Sequence, residues 1–288
     1  MDASDNEATF SIIQDWTTHR PKWFRSEREK DRILAGKLKP MIPIDLSGKT
    51  CLITGGTRGI GAAISRLLAE AGASTIAVYR SDESAAAASL AEREAFGGRH
   101  CNYKANISVP ADVHTLAAHF AADFDNLHGL VLSAGVPMHR HVMDITDDDW
   151  RRVIDTNLTS ALLMVRAFRP LMPSGSSIVS IASGAGHDGL PDLAAYGASK
   201  AGLILFTQSI AQDLGPDGIR ANVVSPGFVD TEFSGTRADD AKKQRAAANT
   251  ALKRHGVPAD VAGPVLFLLS DLSTFVTGQA LRVNGGVV

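Results

Sequence analysis

The sequence predicts an α/β protein with one doubly wound parallel sheet of about seven strands, helices on both faces of the sheet, and an N-terminal extension. Two observations lead to this prediction. From Lys49 onward, short apolar, β-branched runs alternate with longer segments that carry apolar residues at helical spacing, which is typical of βαβ units. A glycine-rich turn also follows the first of these runs directly.

Composition and charge exclude several classes of protein. The chain has 288 residues, of which 44% are hydrophobic and 21% charged, as in ordinary globular proteins. Its net charge of −2 gives no general attraction to nucleic acid or to an acidic membrane. Neither a secretion signal nor a membrane-spanning apolar stretch is evident. We therefore expect a cytoplasmic protein with no nucleic-acid or membrane partner.

Cysteine usage points the same way. The two cysteines, Cys51 and Cys101, each fall within a strand candidate. They form neither a disulfide framework nor a metal-ligand spacing. We expect a reducing environment and no metal site.

The N-terminal extension comprises residues 1–45 and differs in composition from the rest of the chain. Ser26 and Glu29 form a plausible capping box, which predicts one short helix. Its aromatic residues are expected to pack on the body, on a neighbouring subunit of a homo-oligomer, or on another partner. Residues 46–288 are expected to form one dinucleotide-binding domain.

Strand and helix candidates alternate along that domain. The strand candidates are Thr50–Thr54, Ser74–Tyr79, Cys101–Lys104, Gly129–Ser133, Ser177–Ile181, Arg220–Ser225 and Ala280–Val283. The helix candidates are Ile60–Ala71, Glu83–Ala95, Ala111–Phe124, Asp147–Phe168, Ala194–Leu214 and Pro258–Leu269.

The glycine-rich turn, Thr54–Gly61, lies between the first strand and the first helix. Glycines allow the backbone to turn tightly beside a pyrophosphate, and the helix N-terminus offers unpaired N–H groups to that anion. This is the arrangement of a Rossmann-type fold. The spacing of Gly55, Gly59 and Gly61 differs from the G-x-G-x-x-G fingerprint, so a tight turn without a ligand remains an alternative.

The end of the second strand bears on the choice of cofactor. Folds that bind NAD usually place an acid there to hold the ribose hydroxyls, whereas this strand ends in Tyr79–Arg80–Ser81. Arg58 and Arg80 are available to pair with a 2′-phosphate. The sequence therefore predicts NADP(H) in preference to NAD(H). The alternative is that both arginines are solvated surface groups.

Four polar residues suggest a reacting site. Tyr196 and Lys200 are four residues apart and share one helical face. A nearby ammonium lowers the pKa of a tyrosine, which makes it a general acid or base. Ser183 follows a strand, where its hydroxyl can bond a substrate carbonyl, and Asn157 can hold a water that links Lys200 to solvent. Each residue alone also fits a structural role.

Taken in order along the chain, these residues resemble those of the short-chain dehydrogenase/reductase family. The resemblance covers about residues 46–288. It rests on the Thr54–Gly61 turn, Leu132–Ser133–Ala134–Gly135, Asn157, Ser183, the Tyr196/Lys200 pair, Pro226–Gly227 and Thr231. The C-terminal run that ends in Asn284–Gly285–Gly286 is similar to the 3-oxoacyl-carrier-protein-reductase-like branch of that family.

The resemblance implies a role for each of these residues. Tyr196 would be the general acid/base, Lys200 would lower its pKa and hold the nicotinamide ribose, Ser183 would orient the carbonyl, and Asn157 would complete a proton relay. The implied cofactor-binding residues are Gly55, Thr57, Arg58, Gly59, Ile60, Gly61, Arg80, Ser81, Asn106, Ile107, Ala134, Gly135, Tyr196, Lys200, Pro226, Gly227, Val229 and Thr231.

The expected function is an NADPH-dependent ketoreductase with a polyketide-type or 3-oxoacyl substrate. A helical lid with a basic outer face is expected at about residues 232–255, where it would cover a partly apolar ketone that is free or bound to a carrier. The family resemblance also implies a homotetramer or homodimer. Two alternatives remain: a dehydrogenase that runs toward the ketone, and a non-catalytic dinucleotide-sensing protein.

Overall fold

The computed structural model describes residues 44–233 and 239–287. Its seven strands form one sheet in the order β3-β2-β1-β4-β5-β6-β7, and all six pairings are parallel. The strands are β1 (Thr50–Thr54), β2 (Ser74–Tyr79), β3 (His100–Lys104), β4 (Gly129–Leu132), β5 (Ser177–Ile181), β6 (Arg220–Pro226) and β7 (Ala280–Val283). This confirms the doubly wound parallel sheet.

Eight α-helices lie within the described residues. They are α1 (Gly59–Glu70), α2 (Glu83–Glu94), α3 (Pro110–Asp123), α4 (Asp147–Ile154), α5 (Ser160–Phe168), α6 (Ala194–Leu214), α7 (Asp240–Ala248) and α8 (Pro258–Leu269). The predicted extension and its short helix lie outside the described residues, except for Ile44 and Asp45. The predicted element boundaries differ from the observed ones by one residue at most, with one exception.

The exception is the helix predicted over Asp147–Phe168, which was wrong as a single element. A π-helical turn, Asp155–Thr159, separates α4 from α5. Asn157 lies in this turn and bonds the backbone of Val136 through both ends of its amide. Such turns in longer helices are frequent at functional sites. Apolar periodicity alone gave no sign of it, because the extra residue per turn shifts the pattern only slightly.

Apolar layers cover both faces of the sheet, as expected for parallel strands. On one face, Phe120 of α3 and Phe168 of α5 pack edge to face, with ring centroids 5.5 Å apart. On the other face, α8 packs against α1, and its Val261 and Val265 are fully buried. With both faces covered, the loops at the strand ends are the parts of the sheet open to a ligand.

Chain order reverses between β1 and β4, and Thr54 joins the ends of these two strands. Its Oγ1 accepts hydrogen bonds from the backbone N–H groups of Ser133 (3.0 Å) and Ala134 (3.1 Å) and donates one to the carbonyl of Val131 (3.3 Å). Thr54 is 1% exposed. Its hydroxyl therefore holds the chain that leaves β4 against the glycine-rich turn.

Replacement of this hydroxyl tests its contribution to stability. We expect Thr54→Val to lower the free energy of unfolding by about 1–3 kcal/mol, because two buried N–H groups lose their acceptor. Urea denaturation measures this change. Thr57→Val is the matched control, since Thr57 is also buried but no hydrogen bond of its hydroxyl is found among the described residues. Equal losses in the two variants would contradict the assignment.

Candidate active site

The glycine-rich turn has the backbone geometry that its sequence predicts. Gly55 and Gly59 adopt positive φ angles of 63° and 53°, which glycine tolerates and larger residues resist. Gly61 packs so closely that an added Cβ would lie 2.1 Å from the carbonyl oxygen of Gly55. Ser65 braces the turn by donating a hydrogen bond to the Gly56 carbonyl at 2.9 Å. No residue larger than glycine fits at Gly61.

The N-terminus of α1 fits an anionic group. Arg58 occupies the N-cap position but makes no capping hydrogen bond with its side chain, and the first turn contains no acidic residue. The backbone N–H groups and the positive end of the helix dipole therefore lie at the carboxyl edge of the sheet with no acidic residue in the helix's own first turn. Thr231 lies opposite, 3.6 Å from where a Cβ on Gly59 would be. This cradle suits the pyrophosphate of a dinucleotide.

Ser183, Tyr196 and Lys200 come together at the carboxyl end of β5. Ser183 begins the loop after the strand and accepts a hydrogen bond from the Ala185 N–H at 3.2 Å. Its hydroxyl is a neighbour of the Tyr196 hydroxyl on α6. Lys200 is 3% exposed, donates to the Ile181 carbonyl at 2.9 Å, and places Nζ 5.9 Å from the centroid of the Tyr196 ring.

Burial governs the protonation of this group. It raises the pKa of Tyr196 above its ordinary value, and the neighbouring Ser183 hydroxyl only partly opposes the shift. Burial also lowers the pKa of Lys200 to about 8. Desolvation sets the net direction of the Tyr196 shift, and the prediction that Lys200 lowers the tyrosine pKa stays a prediction. At neutral pH Tyr196 holds its proton and most Lys200 side chains remain charged.

Asn157 connects two parts of the site. It is 2% exposed; its Oδ1 accepts from the Val136 N–H (2.8 Å), while Nδ2 donates to the Val136 carbonyl (3.1 Å) and to Ser199 Oγ (3.0 Å). Ser199 in turn donates to the carbonyl of Tyr196 at 2.7 Å. Asn157 therefore ties the loop after β4 to the first turns of α6.

Gly135 provides the space between Asn157 and Lys200. A Cβ added at Gly135 would lie 3.2 Å from Asn157 Oδ1 and 3.4 Å from Lys200 Nζ. Both polar groups thus face the same short stretch of backbone. Ala134 precedes this glycine and lies 3.1 Å from the position of a Cβ on Gly55, so the loop after β4 contacts the glycine-rich turn.

The remaining predicted residues near β6 lie at the same edge of the sheet. Pro226 ends the strand, and Gly227 packs so tightly that an added Cβ would be 2.9 Å from Asn284 Cβ. Val229 forms an isolated parallel bridge with Gly256. Of this group, Thr231 is the residue that approaches the glycine-rich turn, near Gly59.

A carboxylate that the sequence analysis missed lies beside the second strand. Arg80 and Ser81 follow β2 and are exposed, as expected. Asp82, however, forms an ion pair with Arg58 at 3.2 Å and caps α2 by accepting from the Ala85 N–H at 3.0 Å. The view of this edge as free of carboxylates was therefore wrong. Its position one residue before a helix candidate was the available signal.

Asn106 and Ile107 have local roles in addition to their predicted one. Oδ1 of Asn106 accepts from the backbone N–H (3.3 Å) and hydroxyl (2.8 Å) of Ser108, which makes a tight local turn before α3. Ile107 is 7% exposed and packs in the core. The amide oxygen of Asn106 is thus partly engaged within its own loop.

His187 anchors the loop after Ser183, a role that the sequence analysis did not predict. Its Nε2 hydrogen-bonds Ser225 Oγ on β6 at 2.9 Å. The adjacent Asp188 pairs with Arg282 of β7 at 2.8 Å. These contacts tie the loop to two neighbouring strands. A histidine near a reactive serine gave no hint of this, because its partner lies 38 residues further along the chain.

The predicted lid contains a helix, α7, among its described residues. The Phe233 ring lies 6.2 Å from the Tyr196 ring, centroid to centroid, so Phe233 reaches the site. Two lid cations are paired: Lys243 with Asp230 at 3.0 Å, and Arg254 with Asp260 at 2.6 Å. The basic face is therefore weaker than the sequence suggests.

Within residues 44–233 and 239–287, no helix is long and apolar enough to cross a membrane. In the same part of the chain, no group of three or more His, Cys, Asp or Glu side chains is arranged to hold a metal ion.

The strand order, the glycine-rich turn at the strand reversal and the polar group after β5 define a Rossmann-type oxidoreductase domain. Comparison with known proteins narrows this class. Residues 55–288 match the family model described as Enoyl-(Acyl carrier protein) reductase. The 3-oxoacyl-acyl-carrier-protein reductase FabG of Escherichia coli (strain K12) is 35% identical over 248 residues, which cover 85% of this chain and 99% of that protein.

Two solved structures are similar to the same extent. One is a short chain dehydrogenase from Burkholderia cenocepacia J2315 in complex with NADP (TM-score 0.80, 34% identity, 84% of this chain and 98% of that one). The other is a blue fluorescent protein from a metagenomic library in complex with NADPH (TM-score 0.80, 35% identity, the same coverage). The chain belongs to the short-chain dehydrogenase/reductase family, in its 3-oxoacyl-acyl-carrier-protein-reductase-like branch.

The close approach at Gly61 gives a test of the turn. Gly61→Ala is expected to lower the free energy of unfolding by about 1–3 kcal/mol, because a Cβ there overlaps backbone that cannot move away cheaply. Gly263→Ala in α8 is the matched control, since nothing lies within 4 Å of its added Cβ. It should be neutral or stabilising by about 1 kcal/mol. Similar losses in both variants would refute the packing argument.

Proposed function

We propose that this protein is an NADPH-dependent ketoreductase in which Tyr196 is the general acid. The observation that carries the proposal is that the hydroxyls of Ser183 and Tyr196 are neighbours beside the buried ammonium of Lys200, which bonds the Ile181 carbonyl. Two hydroxyls that converge on one point suit a single oxygen acceptor, and a carbonyl oxygen is such an acceptor. The raised pKa of Tyr196 keeps its proton available for donation.

In this proposal each residue of the site has a separate role in carbonyl reduction. The glycine-rich turn and the strand ends would hold NADPH along the carboxyl edge of the sheet, where the cofactor would supply the hydride for the carbonyl carbon. Ser183 donates a hydrogen bond to the carbonyl oxygen and orients it. Tyr196 transfers its proton to that oxygen as negative charge develops, so that a ketone becomes an alcohol. The charged Lys200 stabilises the tyrosinate that remains.

The raised pKa of Tyr196 keeps its hydroxyl protonated at neutral pH, as donation of a proton to a carbonyl oxygen requires. A dehydrogenase that runs toward the ketone would use the same side chains in the reverse sense, so it stays an alternative. The sensor alternative leaves the Ser183–Tyr196 pair without a purpose, since binding of a dinucleotide requires only the turn and the strand ends.

Preference for NADP(H) over NAD(H) is also part of the proposal. Two arginines at the sheet edge near β2, Arg58 and Arg80, support this preference, because a guanidinium group can form bidentate hydrogen bonds with a phosphate. Arg80 forms no ion pair with any described residue. The two similar structures bound to NADP and NADPH are consistent with the same choice here.

The substrate class that we propose is a partly apolar ketone, either free or as a 3-oxoacyl thioester. The loop after β4 carries Val142 (60% exposed) and Met143 (82%), and the lid brings Phe233 (44%) to Tyr196. A backbone hydrogen bond from Arg140 to the Asp192 carbonyl joins that loop to the segment before α6. These apolar side chains suit an alkyl chain or ring beside the carbonyl.

Self-association and a cytoplasmic location stay predictions. We place the subunit contact on the outer faces of α5 and α6, where Leu162 (43% exposed) and Leu205 (65%) are uncovered. Val165 and Phe206 line the groove between these helices. An apolar surface of this kind is typical of an interface between copies of one chain.

Removal of the tyrosine hydroxyl tests the reaction. We expect Tyr196→Phe to lower kcat for ketone reduction at least about 100-fold while the Kd for NADPH changes little, because the proton donor is lost but the cofactor cradle is not. NADPH oxidation is followed with ketones, quinones and 3-oxoacyl thioesters. Tyr103→Phe is the matched control, since Tyr103 lies on β3 and bonds Asp123.

The panel also contains a 2-enoyl thioester, which requires a proton at carbon. Turnover of that compound alone would contradict the proposal in favour of enoyl reduction. Tight NADPH binding with no turnover on any compound would favour the sensor. If a 3-oxoacyl thioester reacts no faster than the corresponding free ketone, carrier-bound thioesters are excluded as the preferred substrate class.

The pH dependence of kcat for reduction is expected to follow the ionisation of the Lys200 ammonium group. Its charged form predominates below its pKa of about 8 and is lost above it, so kcat should be level below about pH 8 and fall as the pH rises further. Lys200→Arg keeps its charge throughout this range, and its residual activity should lack this fall. The same inflection in the arginine variant would assign it to another group.

A further inference from the structure

The ion pair between Arg58 and Asp82 lies where two turns meet. Strands β1 and β2 are parallel neighbours, with Thr54 aligned to Val78, so the turns that follow them open at the same edge of the sheet. Arg58 comes from the first turn and Asp82 from the second, with their side chains 3.2 Å apart. The pair therefore spans the two turns at the edge where dinucleotides bind in this fold.

Asp82 is the carboxylate that pairs with Arg58. Arg80 precedes it on the β2–α2 connection, Glu83 begins α2, and Lys104 ends β3. Glu83 is engaged by Lys104 at 2.7 Å. Within the described residues, Arg58 has Asp82 as its carboxylate partner, while Arg80 has none.

We propose that Asp82 is a specificity-determining residue that competes with the 2′-phosphate of NADPH for Arg58. The inference rests on the proposed use of NADPH. To bind Arg58, a 2′-phosphate must displace the Asp82 carboxylate and then tolerate a like charge beside it. NADH has no such phosphate and leaves the pair intact. Asp82 thus weakens the binding of NADPH but not that of NADH, and so reduces the ratio of the two affinities.

The exposure of the pair makes the exchange feasible. The side chains of Arg58 and Asp82 are 65% and 38% exposed, and exposed pairs of this kind are weak because solvent screens them. Arg58 is therefore held near the edge without being locked there. A doubly charged phosphate can replace a single carboxylate as its partner.

Asp82 also has a structural role, and the test must leave that role intact. Its Oδ1 caps α2 through the Ala85 N–H at 3.0 Å. Asparagine caps helices about as well as aspartate, so Asp82→Asn removes the charge and keeps the cap. Thermal unfolding of the variant checks that the helix start is preserved.

The experiment measures Kd for NADPH and NADH by fluorescence titration of wild type and Asp82→Asn. We expect NADPH to bind about three- to tenfold tighter in the variant and NADH to change less than about twofold. Glu83→Gln is the matched control, because it removes the same charge one residue away without contacting Arg58. Its effect on NADPH should stay below about twofold.

A second background isolates the mechanism. In an Arg58→Ala background, Asp82→Asn should lose most of its effect on NADPH affinity. The cation for which the carboxylate and the 2′-phosphate compete is then absent. An unchanged or weaker NADPH Kd in Asp82→Asn overturns the inference, as does weaker NADH binding alone, which would make Asp82 a ribose ligand. A wild-type protein that binds neither dinucleotide overturns the proposed function instead.

Discussion

The contact between the glycine-rich turn and the chain leaving β4 is the constraint on which the site depends. Gly61 packs onto the Gly55 carbonyl at a distance that excludes a larger residue, and Gly55, with its positive φ, packs closely onto Ala134. Thr54 secures the same junction with its buried hydroxyl. Because the chain adds its parallel strands outward in opposite directions on the two sides of this junction, the cleft for a dinucleotide opens here.

The reacting group depends on the same junction through Gly135. That glycine leaves room for Asn157 and Lys200 to approach one backbone segment, and the π-helical turn brings Asn157 into position. Lys200 is thereby buried against the Ile181 carbonyl. Burial is also what sets the pKa values of Lys200 and Tyr196, so packing and protonation at this site have one cause.

Charge pairing governs the two ends of the cleft differently. At the reacting end, a buried ammonium lies beside neutral hydroxyls, where desolvation dominates. At the adenosine end, the charged groups are exposed and paired, as in Arg58 with Asp82. Such pairs exchange partners at low cost. The rigid end is therefore suited to chemistry, and the exchangeable end to discrimination between cofactors.

The sequence by itself determined the fold class, the boundaries of nearly all the strands and helices, and the candidate reacting residues, because period-two and period-3.6 patterns and glycine spacing are local properties. It also indicated the family, which the comparisons confirmed. The tertiary structure alone decided which side chains meet across distant elements: Thr54 with Ser133, His187 with Ser225, and Arg58 with Asp82. It likewise decided the direction of the Tyr196 pKa shift, since desolvation depends on everything packed around a group and not on its neighbours along a helix.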